Sequence, residues 1–157
     1  MFTLAEQLYE GCQTENINGK IPHLNKGGCG IFAEHFYKAL KQFGLFPKLA
    51  VITYADRVPS LKLSIATNEN YGLMFVRHIV VIIDKKMYDS KGVYKTLKAT
   101  NYIDPKLVRN LPLELLEQWN KDRKMWNKRF DHRQIKTVEN IIKESYNKLE
   151  KDLQVLY

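Results

Sequence analysis

The chain has 157 residues, 45% apolar and 27% charged, an ordinary globular balance that allows one domain with a real core. No apolar run approaches the roughly 18 residues a membrane span needs, and Met1 to Gln7 lacks the basic and apolar regions of a signal peptide. The net charge is +8, with 13 basic and 8 acidic residues in 1–103 against 12 and 9 in 104–157, so the excess forms no isolated basic tail. It favours acidic partners and supports nucleic-acid binding only weakly. The expectation is a soluble cytoplasmic protein of one domain, 1–157, without a membrane partner and of open oligomeric state.

In chain order, Thr3 to Tyr9 reads as a first helix, with Leu4 and Leu8 on one face. Residues 11–28 hold Gly11, Asn16, Asn18, Gly19, Pro22, Gly27 and Gly28, breakers that predict a long ordered loop. Cys29 to Phe43 is a second helix, since Phe32, Phe36, Leu40 and Phe43 recur at helical spacing and Gly44 follows as a stop. Lys48 to Tyr54 is a strand. Leu61 to Ile65 alternates apolar and polar and suggests another. Leu73 to Ile83 carries the strongest strand signal, and with Met87 to Asp89 it reads as a hairpin turning at Asp84-Lys85-Lys86.

Beyond Ser90 the pattern turns helical. Lys95 to Ala99 suggests a helical turn, and Asp104-Pro105 a helix start with proline at its first position. Leu113 to Arg129 and Arg133 to Leu153 have helical periodicity, with Asp131 as N-cap of the last helix. The fold class is α+β: N-terminal helices packed on a small antiparallel sheet, a core of about 1–103, then a helical C-terminal extension of about 104–157.

The chemistry concentrates around Asn25-Lys26-Gly27-Gly28-Cys29-Gly30. A cysteine at a helix N-terminus meets unsatisfied N–H groups and the positive end of the helix dipole, which favour the thiolate. The flanking glycines leave room for a substrate carbonyl to approach the backbone. A thiol nucleophile also needs an imidazole and a group to hold that ring. Of the four histidines, His23 lies in the glycine-rich loop, His35 on the polar side of the helix and His132 among charges, whereas His78 sits inside an apolar strand.

Asp89 lies eleven residues beyond His78 across the hairpin. With a two-residue turn at Asp84-Lys85 it falls opposite Val80, and with one at Lys85-Lys86 opposite Ile82. Either puts it on the face of His78, while a three-residue turn puts it on the other. Singly, a buried cysteine is often a small hydrophobe and a strand histidine a satisfied core residue. The joint pattern of Cys29, His78 and Asp89 is rarer and favours catalysis.

These blocks, Gly28-Cys29-Gly30-Ile31-Phe32-Ala33 and His78-Ile79-Val80-Val81-Ile82-Ile83-Asp84 with Tyr88-Asp89, resemble the papain-like cysteine enzymes. The Cys–His–Asp order is that of their transglutaminase-like and arylamine N-acetyltransferase branches. The chain is also similar to small proteins of bacterial viruses. The resemblance covers about residues 25–92 and implies a papain-like fold with Cys29, His78 and Asp89 as a triad acting on a protein or peptide substrate. Papain places Trp directly after its nucleophile and Gln six residues before it, where this chain has Gly30 and His23. The oxyanion donor is then the backbone N–H of Cys29, with Asn25 or His23 as the side-chain candidate.

Two other classes compete with a thiol hydrolase (peptidase, isopeptidase or amidase) and its amine-transfer or Gln-deamidating relatives. One is a non-catalytic binding or inhibitor protein using the basic, aromatic stretch Trp119 to Arg133, although Trp119, Trp126 and Phe130 repeat one helix face and read as core. The other is a phosphate loop at Gly27-Gly28, which lacks the Gly-Lys-Ser/Thr ending. Cys12, His23, Cys29 and His35 are separated by gaps of ten, five and five residues, which match no short-spaced zinc pattern. No metal and no cofactor are expected.

Overall fold

A computed structural model describes residues 2–69, 73, 76–124 and 131–155. Helix α1 (Leu4–Thr14) starts at a capping box, in which the Thr3 hydroxyl accepts from Glu6 N and the Glu6 carboxylate accepts from Thr3 N. It runs well past Tyr9, and a short helix α2 (Ile17–Lys20) follows after Asn16 in the left-handed conformation. The expected loop of 11–28 is therefore partly helical. Its breakers separate two helices, while Ile17, Ile21 and Leu24 between them are buried and pin the segment to the core.

Helix α3 (Cys29–Gln42) begins at the thiol, as its periodicity predicts. It lays Phe32 and Phe36, stacked at 5.2 Å, against Tyr88 and Tyr9 on one face of the sheet. That sheet is antiparallel with strand order β4-β3-β2-β1-β5, from β1 (Lys48–Thr53), β2 (His78–Ile83), β3 (Lys86–Asp89), β4 (Gly92–Tyr94) and β5 (Lys106–Arg109). The alternation along the strands divides the core. Leu49, Val51, Ile79, Val81 and Tyr88 face α3, whereas Ala50, Ile52, Val80 and Met87 face a smaller cluster closed by Tyr94, Leu97, Tyr102 and Leu107.

Three sequence expectations are corrected. Leu61 to Ile65 is no strand but the middle of α4 (Val58–Thr67), which has Pro59 in its first turn and Asn68 at its left-handed end. Residues 61 and 65 are also four apart, so five alternating residues satisfy a helical period as well, and the flanking Pro and Asn decide. Asp104-Pro105 starts no helix. Asp104 is left-handed (φ 44), and Pro105 leads into edge strand β5, whose outer residues Lys106 and Arg109 are exposed. Strand β2 starts at His78 rather than at Leu73.

The C-terminal helices α5 (Leu113–Lys124) and α6 (His132–Val155) share the larger core rather than extending away from it, since Leu115, Leu116, Trp119, Val138, Ile141 and Ile142 belong to the same buried cluster as Phe32 and Leu40. The Asp131 carboxylate accepts from Gln134 N at 3.0 Å, the N-cap expected for α6. Met125, Trp126 and Phe130 lie outside the described residues.

Candidate active site

Cys29 occupies the first position of α3, with Gly28 as N-cap and no side chain capping the helix end. Its side chain is buried at 6% exposure, at the rim of the core. The buried Ile21 and Leu24 hold the approaching loop, so the thiol is fixed at the end of the helix.

His78 and Asp89 are brought together by a turn of two residues. Asp84 and Lys85 both have positive φ, 54° and 63°, and the pairs Ile83–Lys86, Ile82–Met87 and Val81–Tyr88 close the hairpin around them. The next pair in that register sets Asp89 opposite Val80, on the same face as His78. Across it, Asp89 Oδ2 accepts from His78 Nε2 at 2.8 Å, both side chains being almost wholly buried. The second carboxylate oxygen accepts from Lys91 N at 2.8 Å, Gly92 N at 2.9 Å and the Tyr94 hydroxyl at 3.4 Å. A buried carboxylate is tolerated when its lone pairs are occupied in this way. A Cβ added at Gly92 would stand 2.8 Å from the Tyr94 ring and hydroxyl, so the ring lies over this position because it is glycine.

The Cys29 side chain is near enough to the His78 ring to be among the groups that raise its pKa. With Nε2 engaged by Asp89, Nδ1 is the ring nitrogen left for another partner. Helix α3 packs on one face of the sheet, and the imidazole, in phase with Val80, belongs to the other. Burial alone would lower the His78 pKa, but the Asp89 bond, the Cys29 side chain and the charges of both outweigh it and push the pKa up to about 9. The shift favours the imidazolium form of the ring. By reciprocity, an imidazolium stabilised by the sulfur stabilises the thiolate in return.

The two side-chain oxyanion candidates differ in placement. Asn25 is half-buried, and its Oδ1 accepts the Ser90 hydroxyl at 3.3 Å, directly beside Asp89 in the chain. Ser90 is itself wholly buried, and its carbonyl takes Asn18 Nδ2 at 2.7 Å and Gln13 Nε2 at 2.9 Å. These bonds tie the glycine-rich loop to the Asp89 turn. His23 is exposed, and among the described residues its ring makes no hydrogen bond to Cys29, His78 or Asp89.

Several contributors have no local sequence signal. The space above Gly30, expected to admit a substrate, is filled by α5: an added Cβ would stand 2.5 Å from the Trp119 ring and 2.6 Å from Asn120 Oδ1. Asn120 Nδ2 donates to Gly30 O at 3.0 Å and Glu34 Oε1 at 2.9 Å, which fastens the C-terminal half to the start of α3. Trp119 is buried, in keeping with a core role rather than an exposed stacking platform. Tyr102 packs on His78 with ring centroids 5.6 Å apart. Only long-range contact reveals these residues.

Among the described residues no cluster of three or more His, Cys, Asp or Glu could hold a metal ion, and no helix is long and apolar enough to cross a membrane. The arrangement is a thiol, an imidazolium and a carboxylate in sequence, which is suited to nucleophilic attack with proton transfer. Compared with protein families, with curated proteins and with solved structures, the chain finds no match.

Proposed function

We propose that the protein is a cysteine-dependent acyl-transfer enzyme of papain-like type, a thiol hydrolase acting on an amide, peptide or isopeptide bond. The observation that carries this reading is the buried His78 imidazole, bonded to the Asp89 carboxylate at 2.8 Å and within electrostatic reach of the Cys29 thiol. Its support is chemical: a buried imidazole–carboxylate pair is costly to build for packing alone.

In the proposed reaction the Cys29 thiolate attacks the carbonyl carbon, forming the C–S bond while the carbonyl electrons move to oxygen. The backbone N–H of Cys29 and the Asn25 amide are the candidate donors to that oxyanion. As the C–N bond breaks, the His78 imidazolium gives its proton to the leaving amine and becomes neutral. Neutral His78 then takes a proton from water as the water oxygen attacks the thioester. Loss of the thiolate releases the carboxylic acid and restores the ion pair. Asp89 keeps Nε2 protonated and Nδ1 turned to sulfur throughout.

Amine transfer and Gln deamidation share the acylation step and differ in what resolves the thioester. Hydrolysis is preferred because it requires no second substrate site. The test is stoichiometric alkylation. Iodoacetamide at pH 7 should modify Cys29 at least tenfold faster than free cysteine, the order expected of an activated thiolate, and leave buried Cys12 untouched. If Cys29 reacts no faster than a free thiol, the enzyme reading fails.

A further inference from the structure

Next to His78 in the chain stands a cation that the proposed triad does not use. The Arg77 guanidinium carbon lies 4.1 Å from the ring centre of Tyr54 and 4.9 Å from that of Tyr102. One of its nitrogens donates to Ile103 O at 2.8 Å, and its backbone N–H is bonded to Ile52 O at 3.0 Å. The side chain is thus stacked and tethered, with little rotamer entropy left to lose on binding a ligand.

Among the described residues no carboxylate forms an ion pair with it. An arginine has five N–H donors, of which the Ile103 carbonyl occupies one. The remaining donors are one ring away from the proposed base, because the ring that flanks Arg77 is the ring that packs on His78 at 5.6 Å. The Tyr102 phenol is pushed up to about 12 by burial first and then by the charge of Cys29. One tyrosine therefore adjoins both cation and base and lies within electrostatic reach of the sulfur.

We infer that Arg77 is the specificity-determining residue of the site and binds a carboxylate of the substrate, so that the acyl groups received by Cys29 come from acidic peptides. A planar guanidinium with open donors recognises a carboxylate through two parallel bonds. The inference rests on the reading of Cys29 as nucleophile, and its test separates the two.

The probes are N-iodoacetyl-glutamate amide and N-iodoacetyl-glutamine amide, which carry the same warhead and differ only in carboxylate against carboxamide. The full-length protein should be labelled at Cys29 faster by the glutamate probe. In Arg77→Gln, which can still donate to Ile103 O, the glutamate-to-glutamine rate ratio should fall about tenfold, the order of one charge-assisted contact. Lys48→Gln removes a charge at the other end of β1 and should leave the ratio where it was. Independently of any variant, N-acetyl-glutamate amide should slow labelling by the glutamine probe, while N-acetyl-glutamine amide should not.

Rapid, His78-dependent labelling with a ratio unchanged by Arg77→Gln overturns the inference and leaves the nucleophile standing. An equal fall in both variants also overturns it, because net charge then explains the preference. If neither probe labels Cys29 faster than free cysteine, the reading of Cys29 falls and the inference with it.

Discussion

Asp89 shows how much a single side chain can be asked to do. Its two oxygens take four bonds, one from the imidazole and three from the turn and tyrosine that follow it. The same carboxylate that orients His78 therefore also folds the β3–β4 turn, and the two roles can be pulled apart. Asp89→Asn can keep acceptor bonds from Lys91 and Gly92 while losing the charge that stabilises an imidazolium. We expect the Asn variant to fold and to lose at least tenfold in the Cys29 alkylation rate at pH 7, comparable to His78→Ala. An Asn variant that alkylates at the parent rate would remove Asp89 from the site. The residues of the proposed triad stand out in the sequence because each violates its surroundings: a thiol among glycines, an imidazole and a carboxylate in apolar strands. Tyr102, Arg77 and Asn120 violate nothing locally, so only the folded contacts identify them.

At the level of elements, the site depends on the count of residues in one turn. A loop of two residues with positive φ matches the twist of the paired strands, and glycine usually supplies its second position. Here Lys85 holds φ 63 instead. Lys85→Gly should therefore stabilise the protein by roughly 1 kcal/mol, the relief of a left-handed non-glycine residue less the added chain entropy. Urea melts would show it, and a loss of stability would contradict the turn geometry. Parity across this hairpin was readable from sequence because the strands alternate and the turn is short. Strands β4 and β5 were not readable, having three and four residues respectively and relying on pairing with β3 and β1 rather than on their own pattern. The contact of α3 with α5 was equally hidden. It predicts that Gly30→Ala, forced against the Trp119 ring and Asn120, costs about 1–3 kcal/mol. A neutral effect on the melting temperature would mean that α5 packs elsewhere.

Over the whole molecule, one buried and one half-buried histidine set opposite limits on stability. His78 titrates at about 9 in the fold against 6.5 outside it. Its contribution is complete below pH 6.5 and is lost as the pH rises through 9, where the folded imidazolium finally gives up its proton. His35 is shifted the other way: burial lowers its pKa, and the nearby Glu34 carboxylate only partly offsets this. Its contribution is present above pH 6.5 and is lost as the pH falls below that value, because the unfolded ring takes up a proton that the folded ring resists. In Cys29→Ser, where no thiolate offsets the His78 slope, the two slopes meet, so stability should peak near pH 6.5 and decline on both sides. A second alkaline loss should begin near pH 10, where Tyr88, Tyr94 and Tyr102, each pushed up to about 12 and chiefly by burial, ionise more readily in the unfolded chain. Denaturation midpoints measured from pH 5 to pH 10 check the profile. In the same background Asp89→Asn should flatten the decline between 6.5 and 9 while leaving the acid side intact, because His35 has no contact with that carboxylate. In Cys29→Ser, which has no thiolate to release a compensating proton, a stability that climbs from pH 6.5 to 9 would contradict the raised pKa of His78.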